Sequence, residues 1–157
     1  MRNKLLKPFT AIIVGCMFLA LATPSFAQAR WPFRSQQYSR VNIDRLIRQA
    51  ESRSNYFVNT FDRALDRSRL EGTFREDRLN VFAAQMERQL NLMRVHLNRT
   101  GNYNAMRSAL WNAMQSGERI NTVMRNRRMG PVAERQWMLL RADLNRLAVA
   151  FNLRQIR

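Results

Sequence analysis

Beyond residue 16 the sequence has no cysteine, and beyond residue 7 it has no lysine. The first absence excludes disulfides from everything downstream, together with thiolate catalysis and covalent Cys-x-x-Cys-His haem attachment. The second leaves arginine as the only basic side chain there apart from one histidine, His96. Turn formers are scarce as well, with four prolines and five glycines, so regular structure should run long between few breaks. There is no glycine-rich phosphate loop, no Gly-x-Ser-x-Gly elbow and no Glu-x-x-His pair. P-loop, serine-hydrolase and di-metal carboxylate chemistry are therefore not expected. The chain reads as a non-enzyme, with no catalytic residue, metal site or cofactor assigned.

What is present begins with a leader. Arg2, Lys4 and Lys7 form a basic start, Pro8 to Thr23 is mostly apolar, and Ser25-Phe26-Ala27 offers small residues at the −3 and −1 positions of a cleavage site. Residues 1–27 are thus expected to be a secretory signal cleaved after Ala27, which places the product in the periplasm or outside the cell. A rival reading takes Ile13-Val14-Gly15-Cys16 as a loose lipoprotein box with Cys16 acylated. Without the three leader cations the chain keeps 24 basic against 11 acidic residues, a net charge of +13. Arginine forks onto carboxylate or phosphate and stays charged at any relevant pH, so this surplus suits ion-paired helix flanks or an anionic partner.

From Val41 onward the apolar residues keep helical spacing. Four helices are expected, at about 43–68, 74–99, 103–128 and 131–152, making one antiparallel, up-down-up-down four-helix bundle over 41–157. Thr73-Phe74-Arg75-Glu76 reads as a capping box at the second start, and Gly130-Pro131 as the stop before the fourth. Gly117 falls on the inner stripe of helix three, which marks a close helix approach there. Residues 28–40 differ: QARWPFRSQQYSR has no acid, three arginines and three aromatics, and reads as a basic arm.

The stretch FDRALDRSRLEGTFRED alternates acid and arginine. At 100° per residue, Asp62 and Asp66 flank the apolar seam while Arg63 and Arg67 point outward. The acids are therefore expected to take guanidinium partners from a neighbouring helix and set register. Glu87, Arg94, Asp143 and Arg146 are expected to flank seams in the same way, and Glu118 and Asp143 to have the chance of meeting between helices.

The arginines left over concentrate in the arm and in Arg125-Asn126-Arg127-Arg128. An anion site is expected at Arg30, Trp31, Arg34, Arg125, Arg127 and Arg128, for an anionic membrane surface, a polysaccharide or an acidic protein; nucleic acid is not expected in that compartment. The competing structural reading makes the Arg125–Arg128 cluster a complement to the helix dipole. Two other functions compete with this one. His96 and Met106, at one end of the bundle, would hold a b-type haem or other ligand in a carrier, and a chaperone-like holdase would use the same exported helical frame.

The ending Trp-x-x-Leu-Arg-x-Asp-Leu-Asn-x-Leu-Ala, here Trp137 to Ala148, resembles that of small signal-bearing bacterial proteins of unassigned function. The stretch Phe61 to Asp77 adds to the likeness, which implies an exported helical domain with no activity attached. The chain is also similar in class to small, basic, all-helical periplasmic stress chaperones, but lacks their Leu-Thr-x-x-Gln repeats.

Overall fold

A computed structural model describes residues 39–157. The leader (1–27) and the arm through residue 38, with Arg30, Trp31 and Arg34, lie outside the described residues. The chain forms α1 (Arg40–Asp66), α2 (Phe74–Arg99), α3 (Tyr103–Asn126) and α4 (Pro131–Ala150), and no strand occurs among the described residues. They pack as an up-down-up-down four-helix bundle in which α1 touches α2 and α4, and α3 lies between α2 and α4.

The helix starts follow from side-chain capping. Asn42 N–H donates to Ser39 Oγ at 3.3 Å, so α1 begins at Arg40 and takes in the last residue of the expected arm. Arg40 then donates to the Leu97 carbonyl of α2 at 3.2 Å. At α2, Glu76 N–H donates to Thr73 Oγ1 at 3.3 Å while Gly72 N–H donates to Glu76 Oε2 at 2.6 Å, a reciprocal arrangement of the capping-box kind. Ala105 N–H donates to Asn102 Oδ1 at 3.1 Å to open α3. The fourth helix ends in a Schellman turn: Leu153 N–H reaches the Ala148 carbonyl at 2.8 Å and Asn152 N–H the Val149 carbonyl at 3.2 Å, with Asn152 left-handed at φ 52°.

The core holds Ile43, Ile47, Phe57, Phe61 and Leu65 from α1, Met86, Leu90 and Met93 from α2, Met106 and Leu110 from α3, and Leu140, Leu144 and Leu147 from α4. Phe57 stacks on Phe61 at 5.0 Å between centroids and tilts against Trp137 at 5.4 Å. Ser54 is also fully buried, and its Oγ has no hydrogen-bond partner. Ser54→Ala is therefore expected to raise stability by about 1 kcal/mol in urea unfolding, because it removes an unpaired buried hydroxyl and adds helix propensity.

Two cross-helix ion pairs hold α1 against its neighbours. Arg94 Nε of α2 meets Glu51 at 2.8 Å. Asp143 of α4 is fully buried and receives Arg53 Nη1 at 2.7 Å, Gln49 Nε2 at 3.2 Å and Arg146 Nη1 at 3.2 Å. Arg94 and Asp143 thus take ionic partners across a seam, as expected of charges that flank one, whereas Asp62 does not. Asp62 accepts from Asn80 Nδ2 at 2.8 Å instead of from a guanidinium. Glu118 is exposed on α3, while Asp143 takes its cross-helix partners from α1, so the two carboxylates are not brought together.

The seam between α3 and α4 is the least intimate of the four, and the segment after α4 fills it. Ile156 is buried, its N–H donates to Asn145 Oδ1 at 2.8 Å, and its carbonyl accepts from Asn145 Nδ2 at 3.0 Å. Asn121 of α3 donates to the Arg157 carbonyl and accepts from Trp137 Nε1 at 3.1 Å and Arg141 Nη1 at 3.2 Å. At Gly117, where a helix was expected to come close, the tightest neighbour is Ile156 of the segment after α4, with Trp137 and Leu144 of α4 farther off. No described helix is long and apolar enough to cross a membrane.

Candidate functional site

In an antiparallel bundle the end of α1 and the start of α4 share one end of the molecule. Thr60, Arg63, Ala64 and Arg67 recur three and four residues apart, so they form one ridge along the last turns of α1. Opposite them, the turn before α4 is pinned by buried Met129, whose N–H donates to Glu134 Oε1 at 3.0 Å. Between ridge and turn lies a cavity of about 370 Å³, walled by Thr60, Arg63, Arg67 and Ser68 on one side and by Arg128 to Ala133 on the other.

Its chemistry is one-sided. Arg63, Arg67 and Arg128 line it, and no carboxylate does. Arg63 Nε donates to the Asn59 carbonyl at 3.1 Å, which steadies the side chain and uses one of its five donors. Thr60 Oγ1 is turned onto the Phe57 and Tyr56 carbonyls at 3.0 and 3.1 Å, so this hydroxyl serves its own helix. Gly130, at φ 89°, caps α4 without a side-chain bond, and Pro131 at the first position has no N–H. Val132 and Ala133, both on the cavity wall, thus carry the first N–H groups of α4, for which the helix itself has no acceptor. The positive end of the helix dipole adds to the arginines, and Glu134 in the first turn offsets part of it. Such a lining can receive phosphate, carboxylate or sulfate through charge-assisted donors.

Of the expected anion-site residues that the structure describes, Arg128 alone lines this cavity. Arg125 and Arg127 are exposed at the same turn, with Arg127 N–H closing α3 onto the Val123 carbonyl at 2.9 Å. Arg63 and Arg67 join the site although their helical angle marked them only as outward. The signal that locates them is topological: two antiparallel helices bring residues 60–68 and 127–133 to one end. Met106 is fully buried in the core and His96 is half-buried near the C-terminal end of α2. Neither lines the arginine cavity, and among the described residues no group of three potential metal ligands gathers.

Fold and cavity together define an all-helical bundle with a basic end pocket. No protein family, curated protein or solved structure matches the chain.

Proposed function

We propose that this is an exported, non-enzymatic binding protein whose arginine-lined end cavity receives the anionic head groups of envelope lipids. The observation that carries the reading is the meeting of Arg63, Arg67 and Arg128 around one cavity without a carboxylate. The net charge of +13 after the leader supports it, because a surplus on this scale concentrates anionic surfaces around the protein. The leader pattern of residues 1–27 supports the export part of this reading.

Co-sedimentation of residues 28–157 with vesicles tests the proposal. Binding should require anionic lipid and fall steeply as salt rises. Each arginine near such a surface contributes about 1 kcal/mol, so the triple variant Arg63→Gln, Arg67→Gln, Arg128→Gln should bind about a hundredfold more weakly. Arg125→Gln with Arg127→Gln, outside the cavity, should have the smaller effect. No binding to anionic vesicles at low salt, or triple-variant binding equal to the parent, would overturn it.

A further inference from the structure

A second cavity lies toward the opposite end of the bundle, where α3 begins and α4 ends. It measures about 410 Å³ and has two walls: Arg107, Trp111, Gln115 and Glu118 along α3, and Asn152 to Arg154 in the segment after α4. The α3 residues stand at i, i+4, i+8 and i+11, one continuous ridge of that helix. Met114 is buried and Leu153 half-buried, so the lining has an apolar base. Trp111 is 52% exposed although it belongs to a cavity wall. Arg107 Nε is fixed on the Phe151 carbonyl at 3.2 Å, which ties α3 to the C-terminal end of α4. The Schellman turn holds the second wall by placing Asn152 and Leu153 through two backbone bonds.

We propose that this cavity binds an acidic pyranose saccharide of the hexuronate class. A half-exposed indole offers the flat apolar face on which the C–H face of a pyranose ring stacks, and burying that face of each partner favours association. Around it stand two planar amides, Gln115 and Asn152, one carboxylate, Glu118, and two guanidinium groups, Arg107 and Arg154. Amides and a carboxylate supply both donors and acceptors to vicinal hydroxyls, which a lone anion does not need. The guanidinium pair supplies the forked donor for a ring carboxylate. Glu118 opposes a bare phosphate, and the single aromatic ring with two cations beside it opposes a quaternary ammonium. The lining therefore differs in kind from the carboxylate-free cavity at the other end, and the two sites are independent.

Isothermal titration with trigalacturonate, maltotriose as the neutral control, and tryptophan emission as the second readout tests the assignment. Saturable trigalacturonate binding with a blue shift in emission is expected, because the half-exposed Trp111 becomes covered. Trp111→Ala should abolish both signals; the side chain is half exposed, and the variant's circular dichroism and unfolding midpoint confirm that the fold is kept. Arg154→Gln should weaken trigalacturonate binding about tenfold while leaving any weak maltotriose binding in place. No saturation by trigalacturonate, equal affinity for maltotriose, or binding undiminished in Trp111→Ala would overturn the proposal.

Discussion

Ile156→Ala is expected to destabilise the bundle by about 3 kcal/mol, read as a lower urea midpoint at unchanged slope. Ile156 belongs to no helix, yet it is 3% exposed and sits over the notch that Gly117 leaves in α3. A Cβ built at position 117 would lie 2.8 Å from Ile156 Cδ1, 3.5 Å from Trp137 Cη2 and 3.6 Å from Leu144 Cδ1. The contact is thus specific to one methyl group, and a double-mutant cycle can isolate it. Alanine is worth about 1 kcal/mol over glycine inside a helix, while overpacking a closed site costs about 1–3 kcal/mol. Gly117→Ala alone should therefore lose about 1 kcal/mol, overpacking exceeding propensity. With Ile156→Val, which deletes Cδ1, the same Gly117→Ala should become neutral or stabilising. A coupling of about 1–2 kcal/mol between the two sites is the expected result, and strict additivity would show that the notch and the isoleucine are unrelated.

Helix positions were legible because apolar spacing and capping residues are local. Thr73 and Gly130 mark the starts of α2 and α4 as expected, whereas α1 starts three residues before the expected position because Ser39, within the expected arm, caps it. The helical spacing of apolar residues from Val41 onward is also what carries Phe57, Phe61 and Met93 into the core. Helical angle failed wherever a partner's height along the bundle decides the contact. Arg94 and Asp143 pair across a seam as their azimuth implied, though the partners Glu51 and Arg53 were not legible; Asp62 had the same kind of azimuth, yet Asn80 is what stands opposite it. Azimuth says which neighbour a side chain faces and nothing about which residue of that neighbour lies level with it. Phe74 shows a related gap: it is exposed, and its ring is covered by the Arg78 guanidinium at 5.8 Å, a local pairing within α2. The two cavities escaped for the same reason. Each combines a helix ridge with a short non-helical segment, and the fit between those depends on tertiary distances that periodicity does not encode.

Asp143→Ala is expected to cost about 2 kcal/mol at neutral pH, below the ~3–5 kcal/mol typical when a fully buried ion pair loses one partner. The discount has a structural cause: the side chains of Arg53 and Arg146 are 30% and 61% exposed, so both can turn to water once the carboxylate is gone, although Asp143 itself is 0% exposed. What remains is a cavity between α1 and α4 and the loss of the bonds from Arg53, Arg146 and Gln49. Asp143→Leu should recover most of that loss, since an apolar side chain of larger volume fills the site without a desolvated charge. The pH dependence has a definite sign. Burial raises the Asp143 carboxyl above the ordinary carboxylate value, against the opposing pull of Arg53 and Arg146 and the bonds from Arg53 and Gln49. The folded state therefore holds the proton more tightly than the unfolded chain, and stability from this group falls as pH rises from the unfolded value of about 3.9 through the raised folded value. Referred to Asp143→Leu, which cannot titrate there, the parent protein should gain stability as pH drops through that window and lose it again on return. A parent-minus-variant difference that shrinks on acidification would mean the two guanidinium groups outweigh desolvation, and Asp143 would then be a net stabilising clamp between α1 and α4.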